Sequence, residues 1–189
     1  MTSRIRFTQA SDVYDAFPGL ELYAPRPSAP ADPLDHARSL LGSPRPSTAL
    51  AYLAHLLPRR EAVWWGCQCV AAMLGAAAKD DGLRLALQWV RDPDETLRRE
   101  ALACAEAGDL KSPTTWLARA VGHSGGSVAP PDQPPRPPNP DACALAVNAA
   151  VVLAATRAPP LLIQPWIGEC AEAGLRFARG EDARVIAPR

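Results

Sequence analysis

Two thiols one residue apart, Cys67 and Cys69, are the first residues whose type and spacing could do chemistry. In an extended loop a Cys-x-Cys pair can hold one metal ion. On a helix the two side chains point about 200° apart, so both cannot face the same ion. Zinc also wants four Cys/His ligands at spacings such as Cys-x2-Cys. The other candidates, Cys104, Cys143, Cys170, His36, His55 and His123, stand singly on separate predicted elements. No metal and no cofactor is expected, and the cysteines read as small buried hydrophobes. A Cys-x-x-Cys redox motif is also missing.

The sequence holds no zinc-protease helix or phosphate-binding glycine loop. His123-Ser124-Gly125-Gly126 pairs a base with a hydroxyl, but adjacent loop residues are not a preorganised dyad. His55 falls near the end of its predicted helix, where an imidazolium would complement the dipole. The acidic pairs Asp80-Asp81 and Asp92/Asp94 sit where turns and caps are predicted, and capping accounts for them. A non-catalytic protein is the expectation, with an enzyme of dispersed site as an alternative.

Binding residues are easier to find. In LPRREAVWW, residues 57–65, Arg59 and Arg60 occupy the first turn of a predicted helix, where cations oppose the dipole by about 0.3–1 kcal/mol each. Something must compensate: Glu61, an acidic turn such as Asp92–Glu95, or an acidic partner. Trp64 and Trp65 lie about 100° apart on that helix, so one can face the core while the other looks into a neighbouring helix or a groove. Tryptophan is enriched in binding hot spots. Arg59, Arg60, Trp64, Trp65 and Trp89 are therefore the partner-binding candidates.

The elements that must position these residues read as helices. Of 189 residues, 48% are apolar and 21% charged, which suits one soluble globular domain. Formal net charge is zero, which removes the electrostatic case for non-specific nucleic-acid binding. Ala62–Ala78 is uncharged but only weakly hydrophobic, so a buried helix is expected there rather than a membrane span. With no signal-peptide run at the N-terminus, a cytoplasmic protein is expected.

Along the chain, an N-terminal arm (1–31) carries a short strand at Ile5–Phe7 and a short helix capped by Thr8 or Ser11. Asp32-Pro33 opens a helix that Gly42 stops; Ser47 or Thr48 opens the next; Pro58 opens a third, closed by Gly75 or by the turn Lys79–Gly82. GLRLALQWVRD, residues 82–92, fits strand and helix periods alike, and its helical neighbours decide for helix. Asp92, with Pro93 at the first helical position, opens the next element, Ser112-Pro113 another, and Asn139-Pro140-Asp141 another; the last helix covers about 162–179. Residues 122–140 form a Gly- and Pro-rich loop whose PPRPP could present a polyproline II ridge or serve as a spacer. Residues 180–189 read as a flexible tail. The expected fold is all-α: a compact single domain of about eight helices in antiparallel pairs, with a HEAT-like character in DPDETLRREALACA but no fixed repeat period.

Leu57–Val70 (LPRREAVWWGCQCV) resembles a bacterial family of unknown function whose members carry a similar Leu-Pro-Arg-Arg-Glu-Ala-Val-Trp-Trp run and that is associated with type VI secretion gene clusters. The resemblance implies an accessory role, such as an adaptor or effector chaperone, with another protein as partner. It transfers no catalytic residue. An immunity-type inhibitor of a toxin is the alternative, and it would present a charged patch complementary to its target.

Overall fold

A computed structural model describes residues 3–75 and 80–188. Among these residues there is no strand, and nine α-helices form a compact domain. They are α1 (Ala10–Ala16), α2 (Pro33–Leu41), α3 (Ser47–Leu56), α4 (Arg59–Leu74), α5 (Asp81–Arg91), α6 (Glu95–Ala107), α7 (Pro113–Gly122), α8 (Ala142–Ala155) and α9 (Pro160–Ala178), with a 3-10 turn at Pro18–Leu22.

Local chemistry sets most boundaries. Asp32 accepts the backbone N–H of Leu34 and Asp35 to cap α2, whose first residue is Pro33. Asp80 caps α5 through the Leu83 N–H and also accepts the Thr114 hydroxyl, tying α5 to α7. Gly75, at φ 53°, ends α4 in a conformation open to glycine at little cost. The alternative end for α4 at Lys79–Gly82 lies partly outside the described residues.

Three boundaries differ from the sequence reading. The start of α6 is Glu95, with Asp94 as the capping acid, two residues later than an opening at Asp92. Pro93 therefore precedes the cap rather than filling the first turn. The α1 cap is Gln9, whose backbone N–H is taken by Asp12, not Thr8 or Ser11. Ile5–Phe7 forms no strand because no second strand lies beside it; the Arg4 N–H instead donates to the Ala178 carbonyl at the end of α9.

In the arm, the Tyr14 hydroxyl donates to the Pro25 carbonyl at 2.7 Å and meets His36 Nε2 at 3.0 Å, while the Tyr14 ring stacks on Tyr52 of α3. At the other terminus Ala183 is buried and Val185 packs on the core.

Helix α8 packs against α3, α4, α7 and α9, and small residues let it do so. A Cβ on Gly66 of α4 would come within 3.0 Å of Val147 of α8 and 3.2 Å of Leu117 of α7. Cys67 and Cys69 are both fully buried, and Cys69 lies beside Cys170 of α9. Burial pushes the Cys67 thiol well up from its ordinary value and the Cys143 thiol up to about 12, so neither is a ready thiolate. All five cysteines are free. Among the described residues, no helix is long and apolar enough to cross a membrane.

Candidate functional site

The first turn of α4 is where the candidates separate. Trp65 is fully buried: its indole N–H donates to the Cys170 carbonyl at 2.9 Å, and its ring lies against Gly174 of α9, where a Cβ would stand 3.0 Å away. Trp89 is also buried, in the core between α5 and its neighbours. Neither lines the depressions described below. Trp64, one helical step round, is partly exposed and is the one of the three candidate tryptophans that reaches the surface.

Arg59 and Arg60 resolve their conflict with the dipole by an unforeseen route. Arg60 Nε donates to the Val90 carbonyl at 2.7 Å and Nη2 to the Arg91 carbonyl at 3.1 Å. These are the last carbonyls of α5, at the negative end of that helix dipole, so the guanidinium caps a neighbour's C-terminus. Arg59 Nη1 donates to the Ser124 carbonyl just beyond α7, at 2.8 Å. Neither Glu61 nor the Asp92–Glu95 turn pairs with them; among the described residues the arginines form no salt bridge.

Two depressions meet at this turn. One, of about 460 Å³, is lined by Arg4, Arg60, Trp64, Val90, Arg91 and Phe177, with Glu61 as its one carboxylate. The Arg4 guanidinium lies 4.1 Å from the Phe177 ring centroid, a cation–π pair that forms part of the wall. Beyond Trp64 the surface continues into a hollow of about 620 Å³ walled by Gln68, Glu181 and Val185. The second depression, a cleft of about 410 Å³, opens on the other side of the same turn. Arg6, Phe17, His55, Arg59, Arg60 and Glu61 are among its lining residues.

His55 is almost wholly buried, and desolvation holds its imidazole below the ordinary value, which overrides the dipole argument for an imidazolium. Its Nδ1 lies 2.7 Å from the Ala51 carbonyl, which only accepts, so Nδ1 carries the proton. Nε2 is then an acceptor, and among the described residues it has no hydrogen-bond partner.

Sequence reasoning brought Arg59, Arg60 and Trp64 to one place and missed Arg4, Arg6, Arg91 and Phe177, which come from the two termini and from the end of α5. Tertiary contacts bring them there: the Arg4 N–H is held by the Ala178 carbonyl at the end of α9, and Arg91 ends the helix that Arg60 caps. Among the described residues no three of His, Cys, Asp or Glu converge as metal ligands would.

No curated protein and no solved structure matches the chain. The arm residues Arg4, Arg6 and Phe17, and the terminal segment from Arg179, lie outside the one part that a family model matches, residues 36–178. That match spans well over half of the sequence, and the chain belongs to a family of unknown function, DUF6931.

Proposed function

We propose that this chain is a non-catalytic protein-interaction module, an adaptor or effector chaperone of a bacterial secretion apparatus, of the type VI kind by the resemblance of its LPRREAVWW run. The observation that carries the interaction reading is the groove around Trp64. A partly exposed indole lies among three guanidinium groups, Arg4, Arg60 and Arg91, with Glu61 as the sole carboxylate lining that depression. Such a surface suits an apolar side chain flanked by acidic residues on the partner, the aromatic face supplying affinity and the arginines register. The type VI assignment rests on the resemblance alone.

Purified type VI components and effectors from the native host, titrated singly against the chain by calorimetry, test both layers. Binding by one of them, weakened at least tenfold by Trp64→Ala, supports the reading. If none binds, the secretion role fails; if one binds and Trp64→Ala leaves its affinity unchanged, the groove is the wrong surface.

An immunity-type inhibitor draws on the same region, since Arg4, Arg6, Arg59, Arg60 and Arg91 give it an excess of positive charge. Rescue of cells from a co-expressed toxin, with no effect on the secretion of that toxin, would favour this second reading.

A further inference from the structure

The cleft beside the Trp64 groove has a chemistry of its own, which goes beyond the interaction reading and does not depend on it. Helix α4 is sixteen residues long and begins uncapped. Its N-cap is Pro58, no side chain caps the turn, and among the described residues the backbone N–H groups of Arg59, Arg60 and Glu61 find no acceptor. An N-terminus in this state favours an anion. Asp32, Asp80 and Asp94 meet that need for α2, α5 and α6, whereas α4, like α3, α7, α8 and α9, has no side-chain cap. Here the first two positions carry arginines instead, and Arg6 of the N-terminal arm lines the cleft beside them.

The second, independent feature is His55. It lines the same cleft, is 2% exposed, and keeps an acceptor nitrogen without a partner. A buried polar atom left in this way is costly unless something donates to it.

We infer that this cleft is a binding site for a small phosphate-bearing anion, held by the α4 N-terminus, Arg6 and Arg59, with one proton shared between a phosphate oxygen and His55 Nε2. The uncapped N–H groups and the guanidinium groups supply donors for several oxygens at once, which suits a tetrahedral oxyanion. His55 selects among anions. A phosphate group titrates near pH 6–7 and brings a proton of its own at neutral pH, whereas a carboxylate titrates near 4 and brings none. Arg59 gives one donor to Ser124 and keeps the rest of its guanidinium for the ligand. Glu61 is the one carboxylate in the lining. The volume, about 410 Å³, exceeds what inorganic phosphate fills, so a small organic group esterified to the phosphate is accommodated.

A water molecule donating to both His55 Nε2 and Asp141 Oδ1, the other unpartnered acceptor in this neighbourhood, is the competing account. The two are separated by titrating the full chain with inorganic phosphate at constant ionic strength while following the His55 side-chain nitrogens by NMR. Calorimetry on glycerol phosphate and acetate runs in parallel. The proposal expects a saturable shift of the Nε2 resonance, at least fivefold weaker binding in Arg59→Gln and in Arg6→Gln, and no change in Arg136→Gln, an arginine that does not line the cleft. Acetate should bind at least tenfold more weakly than phosphate. Tighter binding of glycerol phosphate than of inorganic phosphate assigns the ligand as an ester, and the reverse assigns it as free phosphate. An Nε2 signal that ignores phosphate, equal affinity in the two arginine variants, or acetate binding as well as phosphate would overturn it. Trp64→Ala should retain phosphate binding, so this test and that of the interaction groove fail separately.

Discussion

The chain carries two adjacent arginine pairs near helix starts, Arg59–Arg60 on α4 and Arg98–Arg99 on α6, and the fold uses them in opposite ways. Arg98 is buried. Its guanidinium takes both oxygens of Glu95, at 2.7 and 2.6 Å, then reaches the Gly122 carbonyl at 2.6 Å and the Ser127 carbonyl at 2.9 Å. Arg99 shares Glu95 and donates to the Ala129 carbonyl at 2.6 Å. Together they clamp the start of the Gly- and Pro-rich loop, which closes on itself where the Val128 N–H meets the Arg136 carbonyl at 2.8 Å. Arg59 and Arg60, by contrast, are exposed, have no carboxylate partner among the described residues, and border two depressions. A guanidinium enclosed by acceptors is a structural rivet; one held only by backbone carbonyls at a surface keeps donors for something else.

The largest expected break in this contrast comes from Arg98→Ala. The variant strands the buried Gly122 carbonyl and the half-buried Ser127 carbonyl and frees the loop, so unfolding free energy should fall by about 3 kcal/mol, read from urea denaturation. A loss below about 1 kcal/mol would mean that water replaces the guanidinium, and the clamp would be no rivet. Gly122→Ala strikes the same region through packing. The added Cβ would lie 2.9 Å from Leu102 Cα, a backbone atom that cannot turn aside, so a loss of about 1–3 kcal/mol is expected by the same measurement.

Glu95 gives the clamp a pH signature. Hydrogen bonds from Arg98, and to a lesser degree from Arg99, hold its carboxyl down at about 2 against an ordinary 4.5. Because the folded value is the lower, this contribution to stability is complete above about pH 4.5 and is lost as pH falls toward 2. Glu95 is 60% exposed, so solvent screens the effect, and it should be smaller than that of either substitution above. The stability difference between the wild-type chain and Glu95→Gln, followed from pH 6 to 2, should shrink across that window. A difference flat with pH would show that the pair is carried by hydrogen bonding alone.

How far the two pairs could be told apart from sequence follows from the range of their contacts. Helix identities were legible because they depend on neighbours: Asp32-Pro33, Ser112-Pro113 and the glycines Gly42 and Gly75 mark ends by local chemistry. The misplaced start of α6 belongs to the same class, since DPDE offers two capping acids two residues apart and only packing chooses Asp94. The candidate site was legible only as a turn. That Trp65 rather than Trp64 faces the core depends on Gly174, more than a hundred residues away, and the carbonyls taken by Arg60 belong to the end of another helix. A carbonyl at the end of a helix looks like any other in sequence, so a guanidinium that caps it leaves no pattern of types or spacing. His55 was visible, but its burial was not, and burial reverses the charge state that the dipole favours.

Arg59→Glu sharpens the contrast from its quiet side. The substitution removes one exposed hydrogen bond to Ser124, worth a few tenths of a kcal/mol, and puts an acid where the dipole of α4 prefers one, worth about 0.3–1 kcal/mol in the other direction. Stability without ligand should therefore stay within about 0.5 kcal/mol of the wild-type chain, or rise. If Arg59 is kept for an anion, the same variant should lose any thermal stabilisation that phosphate gives the wild-type chain, because ligand binding to the folded state raises its melting temperature and a carboxylate at this position repels the ligand. Thermal melts with and without phosphate measure both quantities together. A variant that is destabilised by more than 1 kcal/mol without ligand would place Arg59 with Arg98 as a structural rivet, and the opposition between the pairs would then rest on Arg60 alone.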